Sequence, residues 1–592
     1  MFPRMRMFSR MLMFPQIALA VLLATLGTTS LRGQERAIGP GDDLTGLWGA
    51  ELFSGPLLRG PLTLERTAGR WTVRVGGLEA TAPTTGDSAR IALPGGSGIL
   101  RVREIGPARE LHAMWIQPAM NMSEYASPVH LTQERQGAWR GTVAPLDDRL
   151  SLYLLFRREA DGSTTGKFRN PESGWNLGRT YRMARDGDNL AFTDLTTGKV
   201  RWRQNYDSAQ RTIQFDFGAP FLLRPLAGGE GRGFYPRIEA ASAYAYRPPL
   251  PAGDGWATAR AAATGMNEAS LAAMIERIIG TDPSSDSAAL VHSVLVAHHG
   301  KLVLEEYFYG FTPDRLHDTR SASKTLMSIM AGIAMDRGAR FAMQSPVYPI
   351  FGLDSAVRAD PRRGRITVGQ LLTHSTGLAC DENDEASPGN EDKLQQQRSQ
   401  PDWYRFMLDL PIAHDAGSTY AYCSGTMNLA GGVVARTTKR WLPEFFDETV
   451  ARPLGITHYA MNLMPGGDAY GGGGVYMRPR DLLKLGQLVL SGGNWNGTRV
   501  VSKGWLERST AQQIRTPDGG SDGFGWHRHT LHANGRDYQE IEANGNGGQF
   551  VIVIPELDIT VVFTAGNYNR YRSWRALRDE FVPKFVMAAV LK

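Results

Sequence analysis

The feature that most constrains the fold of this chain is a change in its sequence pattern near residue 240. Between residues 40 and about 235, short apolar runs alternate with polar residues and are broken by Gly, Pro, Asp and Thr, as in Trp71–Val75 and Leu152–Phe156. This alternation predicts β-strands with one buried face. Beyond residue 265 helical spacing also occurs. We therefore expect an all-β domain followed by a mixed α and β domain.

A proline-rich stretch separates the two patterns. It includes Arg247-Pro248-Pro249-Leu250-Pro251, and consecutive prolines favour extended chain. A length of 592 residues also exceeds what one hydrophobic core usually supports. We predict a β-rich accessory domain over residues 35–235, a linker over 236–265 and a second domain over 266–592. A weak internal similarity between two β segments suggests that the first domain closes into a barrel or a sandwich.

The first 34 residues resemble a secretory signal. An Arg-bearing start is followed by the apolar run Ile17–Leu26 and then by the small residues of Gly27–Ser30. An uncleaved membrane anchor is the alternative, but the apolar run is shorter than the roughly 20 residues that span a bilayer. We therefore predict an exported protein, periplasmic or extracellular, without a stable membrane span.

The overall charge does not indicate a nucleic-acid partner. The formal net charge is +6, and it falls to +2 without the first 34 residues, which hold four arginines and no acid. The rest of the chain has no run rich in Lys or Arg, so the electrostatic signature of nucleic-acid binding is missing. Paired Cys-x-x-Cys and His-Glu-x-x-His spacings are also absent. We therefore predict no metal and no other cofactor.

A Ser-x-x-Lys motif supplies a candidate nucleophile. Ser321 and Lys324 are three residues apart at the start of a predicted helix, so both lie on one helix face. A serine needs a neighbour that takes its proton. Burial is expected to lower the pKa of Lys324 enough for this role. The motif is short, however, and a simple helix cap at Ser321 is the alternative interpretation.

Two later motifs favour the interpretation of Ser321 as a nucleophile. The segment Tyr420–Gly425 precedes a predicted helix, and the glycine-rich segment Ala543–Gln549 directly precedes the apolar strand Phe550–Ile554. In this order, the three motifs resemble the Ser-x-x-Lys, Tyr-x-Asn/Ser and Lys/His-x-Gly elements of class C β-lactamases, DD-peptidases and their esterase and amidase relatives. The segments Ile366–Leu378 and Pro453–Ile456 resemble further signatures of that family. The resemblance covers about residues 265–592.

The resemblance implies a fold and a set of roles. The fold is a β-lactamase/transpeptidase-like domain with a central antiparallel sheet flanked by helices. Ser321 is implied to be the acylated nucleophile, Lys324 its activator and Tyr422 the proton carrier. Ser424 is implied to hold the Lys/Tyr hydrogen-bond network and the substrate. The backbone N–H groups of Ser321 and Gln549 are implied to form the oxyanion hole. The residues of the glycine-rich segment that are implied to contact the substrate are Asn546, Gly547, Gly548 and Gln549.

Asn546 departs from the family pattern and shapes the expected substrate. The family usually has Lys or His at this position, whereas Asn carries no charge. We therefore expect a small-molecule or short-peptide substrate with an ester or amide bond. A β-lactamase or D-alanyl peptidase proper, and a non-catalytic peptide or cell-wall binding protein of the same fold, remain alternatives. The Gly-x-Ser-x-Gly letters of Gly519–Gly523 follow a polar stretch, which argues against an α/β-hydrolase elbow. The sequence leaves the oligomeric state open.

The chain has only two cysteines, Cys380 and Cys423. In an exported protein they can form one disulfide, and their pairing is then fixed. Such a bridge would tether the segment that carries Tyr422, and it typically contributes about 2 to 4 kcal/mol. Two buried free thiols are the alternative.

Overall fold

A computed structural model gives the architecture of most of the chain. It describes residues 36–37, 44–53, 55–105, 110–120, 123–146, 149–172, 179–216, 220–227, 229–237, 244–285 and 288–590. The predicted signal over residues 1–34 lies outside the described residues. Among the helices that are described, none combines the length and the apolar character needed to cross a bilayer.

The β region begins with a closed antiparallel barrel of eight strands. Aromatic side chains fill its interior, including Trp48, Phe156, Phe168 and Phe192, so it is a packed core. Of the two predicted forms, a barrel or a sandwich, these strands form the barrel. Its strands, in chain order, are Gly46–Phe53, Arg149–Arg158, Thr164–Arg169, Thr180–Asp186, Asn189–Asp194, Val200–Asp207, Thr212–Asp216 and Pro220–Pro225.

A second β unit is inserted between the first two barrel strands. We call it the inserted unit; its strands pack face to face around a core of their own that includes Trp71 and Trp115. Alternation of side chains is clear in Arg70–Val75, where every second residue is buried. Its strands are Gly60–Thr67, Arg70–Val75, Leu78–Pro83, Ser88–Ala92, Ile99–Ile105, Glu110–Met120, Ser123–Val129, Leu131–Arg135 and Ala138–Val143.

The C-terminal domain is built on a nine-stranded sheet, antiparallel apart from its first pair. Residues of Val291–His298 are buried on both faces because helices cover both sides, which explains a nearly continuous apolar run. The predicted hairpin around His299 and the two predicted apolar strands near the chain end are confirmed. In spatial order the strands are Ala257–Thr258, Lys301–Tyr307, Val291–His298, Ile559–Ala565, Gln549–Ile554, Arg536–Gly545, His527–Ala533, Ser521–Asp522 and Ile514–Arg515.

Helices cover the two faces of this sheet with separate cores. Glu268–Ile279 and the C-terminal segment Tyr571–Ala576, continued by Leu577–Val586, pack on one face. The larger core on the other face includes Lys324–Asp336 and Ser424–Thr438. Further helices are Val347–Ile350, Asp354–Ala359, Val368–Leu372, Glu391–Gln396, Trp403–Asp409, Leu442–Phe446, Pro479–Leu490 and Lys503–Thr510.

One sheet runs from the inserted unit into the C-terminal domain. Ser123–Val129 pairs with Tyr459–Leu463, with Ala126 opposite Met461. The sheet then continues through Val475–Met477 to His317–Asp318, which directly precedes the turn that carries Ser321. The inserted unit is therefore joined by backbone hydrogen bonds to the strand next to the candidate nucleophile.

A partly buried ion pair reinforces this junction. Arg101 of the inserted unit donates from Nε to Oε1 of Glu444 at 3.0 Å, and its guanidinium lies 4.3 Å from the ring centroid of Trp441. Glu444 is only 4% exposed, so its carboxylate depends on arginine for compensation. Arg103 lies further away, at 3.6 Å.

Replacing Arg101 should weaken the junction. Arg101→Met keeps an apolar stem but leaves Glu444 without its nearer cation, and we expect a loss of about 1–3 kcal/mol of unfolding free energy. Urea unfolding of the full chain measures it. The matched control is Arg90→Met, on an exposed position of the same unit, where a change within about 0.5 kcal/mol is expected. Equal stability of the two variants would contradict a stabilising role for the ion pair.

Candidate active site

Ser321 and Lys324 meet at the start of a buried helix. Ser321 lies in the short 3₁₀ turn Arg320–Ser323, and the helix Lys324–Asp336 follows directly. The Nζ atom of Lys324 donates to Oγ of Ser321 at 2.8 Å, and Lys324 is only 4% exposed. The predicted one-turn proximity of the two side chains is therefore present.

The turn before Ser321 has a strained backbone. Arg320 adopts a φ of 50°, in the left-handed region that non-glycine residues rarely occupy. Asp318 stabilises this conformation, because its Oδ1 accepts the backbone N–H of Arg320 at 2.8 Å and its carboxylate forms an ion pair with the guanidinium at 2.9 Å. Such strain is typical of functional turns.

Tyr422 and Ser424 reach the same place from a second helix. Tyr422 lies just before the helix Ser424–Thr438, and its hydroxyl interacts electrostatically with Ser321 and Lys324. The Nζ atom of Lys324 is 5.0 Å from the centroid of the Tyr422 ring. Ser424 is fully buried, and its Oγ has no hydrogen-bond partner among the described residues.

The expectation that Lys324 has a lowered pKa is wrong. Burial does oppose its charge, but Tyr422 and the carboxylates of Glu382 and Glu391 outweigh burial and raise the pKa of Lys324 above its usual value. Burial also raises the pKa of Tyr422, while Lys324 works in the opposite direction. Lys324 is therefore an ammonium group at neutral pH, and it favours negative charge on Ser321 and Tyr422.

Glu382 is a site residue that sequence reasoning missed. Its Oε1 accepts the backbone N–H of Ser424, and its own N–H donates to the carbonyl of Tyr422 at 2.9 Å. Burial and the neighbouring Glu391 raise the pKa of Glu382 to about 7, while Lys324 lowers it. The available signal was that Glu382 follows Cys380 by two residues.

A second set of polar residues adjoins Tyr422. His527 lies 2.7 Å from Asp522 through Nδ1, and Tyr420 also interacts with that carboxylate. Burial lowers the pKa of His527, but Asp522 outweighs burial and the net pKa is raised. Burial lowers the pKa of His374, whose ring lies 4.7 Å from that of Tyr422, to about 3. Tyr420 and His374 lie in segments that the family resemblance included, whereas no motif in the sequence connected Asp522 and His527 to Ser321.

The glycine-rich segment approaches Ser321 at one glycine only. A Cβ on Gly545 would lie 2.4 Å from the carbonyl oxygen of Thr319 and 3.1 Å from the N atom of Ala322. Gly547 instead faces Tyr568, and Gly548 faces Leu577, Ala565 and Trp574. We call the turn Arg320–Ser323 the nucleophile turn, after the role predicted for Ser321. The strand approaches this turn closely at Gly545, one residue before the predicted Asn546-Gly547-Gly548 block.

The side chains of Asn546 and Gln549 are engaged within the protein. Asn546 donates from Nδ2 to Oδ1 of Asn569 at 2.8 Å and accepts the backbone N–H of Asn569 at 2.8 Å. Gln549 is fully buried in its strand, and its Nε2 donates to the carbonyl of Ala565 at 2.7 Å. Asn546 thus holds the hairpin to the segment that follows Ile559–Ala565, and Gln549 holds it to the last residue of that strand.

The predicted disulfide between Cys380 and Cys423 is present, with 5.7 Å between the Cα atoms. It connects the segment that carries Glu382 to the residue between Tyr422 and Ser424. The bridge therefore fixes the half-buried carboxylate of Glu382 next to the tyrosine.

The C-terminal domain matches a known family. Residues 286–579 match the family model described as Beta-lactamase. These residues form a beta-lactamase-family domain. The resemblance expected from the motifs is thereby confirmed, and the domain is a hydrolase domain of the β-lactamase fold.

Related proteins include hydrolases and acyltransferases. The 6-aminohexanoate-dimer hydrolase of Paenarthrobacter ureafaciens is 26% identical over 283 residues, covering 45% of this chain and 70% of that protein. The monacolin J acid methylbutanoyltransferase of Aspergillus terreus is 31% identical over 166 residues, covering 26% of this chain and 38% of that protein.

Solved structures with a similar fold include a penicillin-binding protein homologue from Caulobacter crescentus. It has a TM-score of 0.42 and 16% identity, and the match covers 54% of this chain and 97% of that one. Simvastatin synthase from Aspergillus terreus has a TM-score of 0.39 and 16% identity, with coverages of 50% and 93%.

Substitution of Gly545 should disturb the nucleophile turn. In Gly545→Ala the new methyl group meets backbone, which cannot rotate away, so Ser321 must shift. We expect the rate of labelling by a fluorophosphonate probe to fall by about a hundredfold, as when one oxyanion donor is lost. The control is Gly504→Ala, whose Cβ meets nothing within 4 Å. Labelling of Gly545→Ala at the rate of this control would show that the close approach has no role.

Proposed function

We propose that the protein is an exported serine hydrolase that forms an acyl-enzyme at Ser321 on an ester, amide or short peptide. The hydrogen bond of 2.8 Å from Nζ of Lys324 to Oγ of Ser321 carries the proposal. Such a contact orients the serine and favours its deprotonated form.

The first chemical step uses Tyr422 as the proton carrier. Oγ of Ser321 attacks the substrate carbonyl carbon, and its proton moves to the oxygen of Tyr422, whose ionised form the ammonium of Lys324 stabilises. Collapse of the tetrahedral intermediate breaks the ester or amide bond, and Tyr422 returns the proton to the leaving group. A water molecule then releases the acyl group by the reverse sequence.

The proposed oxyanion hole consists of two backbone N–H groups. One belongs to Ser321, as the family resemblance implies. For the other we favour Asn546 over Gln549, because Asn546 directly follows Gly545, the glycine packed against the nucleophile turn. Gln549 lies within the strand and is paired with Gly545 in the sheet register.

The charged groups around Ser321 favour a substrate that has no carboxylate close to the bond that Ser321 attacks. Lys324 interacts with Glu382, Arg320 forms an ion pair with Asp318 at 2.9 Å, and His527 lies 2.7 Å from Asp522. Each of these basic groups thus has an acidic partner within the protein itself. An ester, amide or short peptide that presents a neutral group here fits better than a β-lactam with its carboxylate.

Export and the role of the β region are part of the proposal. The disulfide Cys380–Cys423 supports an oxidising compartment, where such bonds persist. The sheet pairing of Ser123–Val129 with Tyr459–Leu463 supports an accessory domain over residues 35–235 that braces the site.

Covalent labelling tests the nucleophile. A fluorophosphonate probe followed by peptide mass spectrometry should place the label on Ser321, and Ser321→Ala should abolish it. Tyr422→Phe should slow labelling by about 10²–10⁴-fold because the proton carrier is lost. The control is Ser521→Ala, which removes the serine of the Gly519–Gly523 motif and should leave labelling unchanged. A label on Ser521, or on no serine, would contradict the proposed mechanism.

The charge of Glu382 should set the pH dependence of the reaction. Its carboxylate raises the pKa of both Lys324 and Tyr422, so Glu382→Gln should lower both values. The rise of kcat/KM with pH, which follows deprotonation of Tyr422, should move towards lower pH. Ester hydrolysis measured from pH 5 to 9 gives the profile.

The control for this profile is Glu385→Gln, an exposed glutamate of the same segment, whose profile should match the unmodified protein. A profile that shifts towards higher pH in Glu382→Gln would contradict the assigned direction.

A further inference from the structure

A second polar cluster lies on the face of the central sheet that is opposite the large helical core. His529 and Glu540 are direct neighbours on paired strands, and Glu542 follows two residues along on the same face. One ligand atom from each of His529, Glu540 and Glu542 lies within 4.8 Å of the others. The mechanism proposed above uses none of them.

Glu540 is the anomalous member of this cluster. It is fully buried, and neither carboxylate oxygen has a hydrogen-bond partner among the described residues. Oε2 of Glu542, which is also fully buried, has no partner there either. Buried carboxylate oxygens without partners are rare, because desolvation then goes uncompensated. Three such oxygens beside one imidazole point to a ligand.

The local charges show a deficit of positive charge. Glu540 interacts electrostatically with three charged groups, namely Glu542, Asp579 and Arg578. Arg578 contacts Glu542 at 3.0 Å through Nη1 and Asp579 at 2.6 Å through Nε. Three carboxylates thus share one guanidinium, while the two nearby imidazoles are those of His529, 3.5 Å from Glu542 with a pKa lowered by burial, and His527, which is paired with Asp522. A single divalent cation would bring the cluster to neutrality.

We propose that His529, Glu540 and Glu542 bind one divalent transition-metal cation, with Zn²⁺ as the best-fitting ion. One imidazole and two carboxylates suit Zn²⁺ or Mn²⁺, whereas Ca²⁺ and Mg²⁺ prefer oxygen ligands alone. Metal–ligand distances of about 2.0–2.2 Å bring ligand atoms to within about 4 Å of each other. The present separations of up to 4.8 Å are close to this geometry.

Outer contacts already orient one of the proposed ligands. Oε1 of Glu542 accepts hydrogen bonds from Nδ2 of Asn544 at 2.7 Å and from Nη1 of Arg578 at 3.0 Å, which leaves Oε2 for the ion. Partners of this kind fix ligand carboxylates in metal sites. The side chain of His529 is 16% exposed, which gives a cation a route from solvent.

The position of the cluster gives the ion a structural role. Glu542 precedes Gly545 by three residues on the strand that contacts the nucleophile turn, and Arg578 lies in the C-terminal helical segment. A bound cation would hold that strand against the segment. The inference is independent of the chemistry proposed for Ser321.

Metal titration of the full chain tests the proposal. The protein is stripped with a chelator and dialysed, and Zn²⁺ binding is followed by calorimetry and by elemental mass spectrometry. We expect one Zn²⁺ per chain and a higher melting temperature with Zn²⁺. Glu540→Gln and His529→Gln should each weaken binding by about a hundredfold or more, since a ligand is lost. Mn²⁺, Ca²⁺ and Mg²⁺ are titrated in parallel.

The matched control is His532→Gln, on the same strand. His532 forms an exposed pair with Asp537 at 2.9 Å, so this variant should bind Zn²⁺ like the unmodified chain. If Glu540→Gln does not fold, the partly exposed His529 still provides the test. The proposal would be overturned if the chain bound neither Zn²⁺ nor Mn²⁺ stoichiometrically, if both ligand variants bound Zn²⁺ as tightly as the unmodified chain, or if the chain preferred Ca²⁺ or Mg²⁺. If the unmodified chain binds no cation and Glu540→Gln makes the metal-free protein more stable, the proposal is overturned. Glu540 would then be a buried, protonated carboxyl group.

Discussion

The burial of an ammonium group beside Ser321 is the constraint on which the rest of the site depends. Lys324 is 4% exposed, and a buried cation is tolerated only when anions or hydrogen bonds compensate its lost hydration. Glu382 compensates part of the charge of Lys324. The Cys380–Cys423 bridge connects the segment that carries Glu382 to the residue that follows Tyr422. The same carboxylate raises the pKa of Lys324, so the lysine acts through its charge. In the mechanism that we propose, the proton then moves through Tyr422.

The nucleophile turn is held from two sides by main-chain structure. On one side, Gly545 lets a strand of the central sheet come so close that a methyl group would collide with backbone. On the other, His317–Asp318 ends a sheet that begins in the inserted unit. The strained φ of Arg320 persists because both neighbours and Asp318 fix it. The β region is thus part of the scaffold of the site and more than an appended module.

The two faces of the central sheet differ in their buried charges, and His527 at the end of its strand interacts with Lys324 on one side and Glu542 on the other. The face towards Lys324–Asp336 compensates an excess of buried positive charge with Glu382. The opposite face gathers Glu540, Glu542 and Asp579 around a single guanidinium. A low-dielectric interior makes both imbalances costly. The positive charge of Lys324 is compensated by side chains of the protein. The excess of negative charge around Glu540 and Glu542 is the reason that we propose a bound cation.

The sequence by itself determined the division into an all-β and a mixed part, the hairpin around His299, the two apolar strands near the chain end and the pairing of the cysteines, because periodicity, prolines and a single cysteine pair are local or countable signals. It also brought Ser321, Lys324 and Tyr422 together as candidates through their order along the chain. Only the tertiary structure decided the direction of the Lys324 pKa shift. It also decided that Gly545, and not Gly547 or Gly548, packs against the nucleophile turn, and that Glu382 lies beside Lys324. These depend on which atoms meet across the fold. Coulombic and steric interactions are set by distance in space, which residue order does not specify.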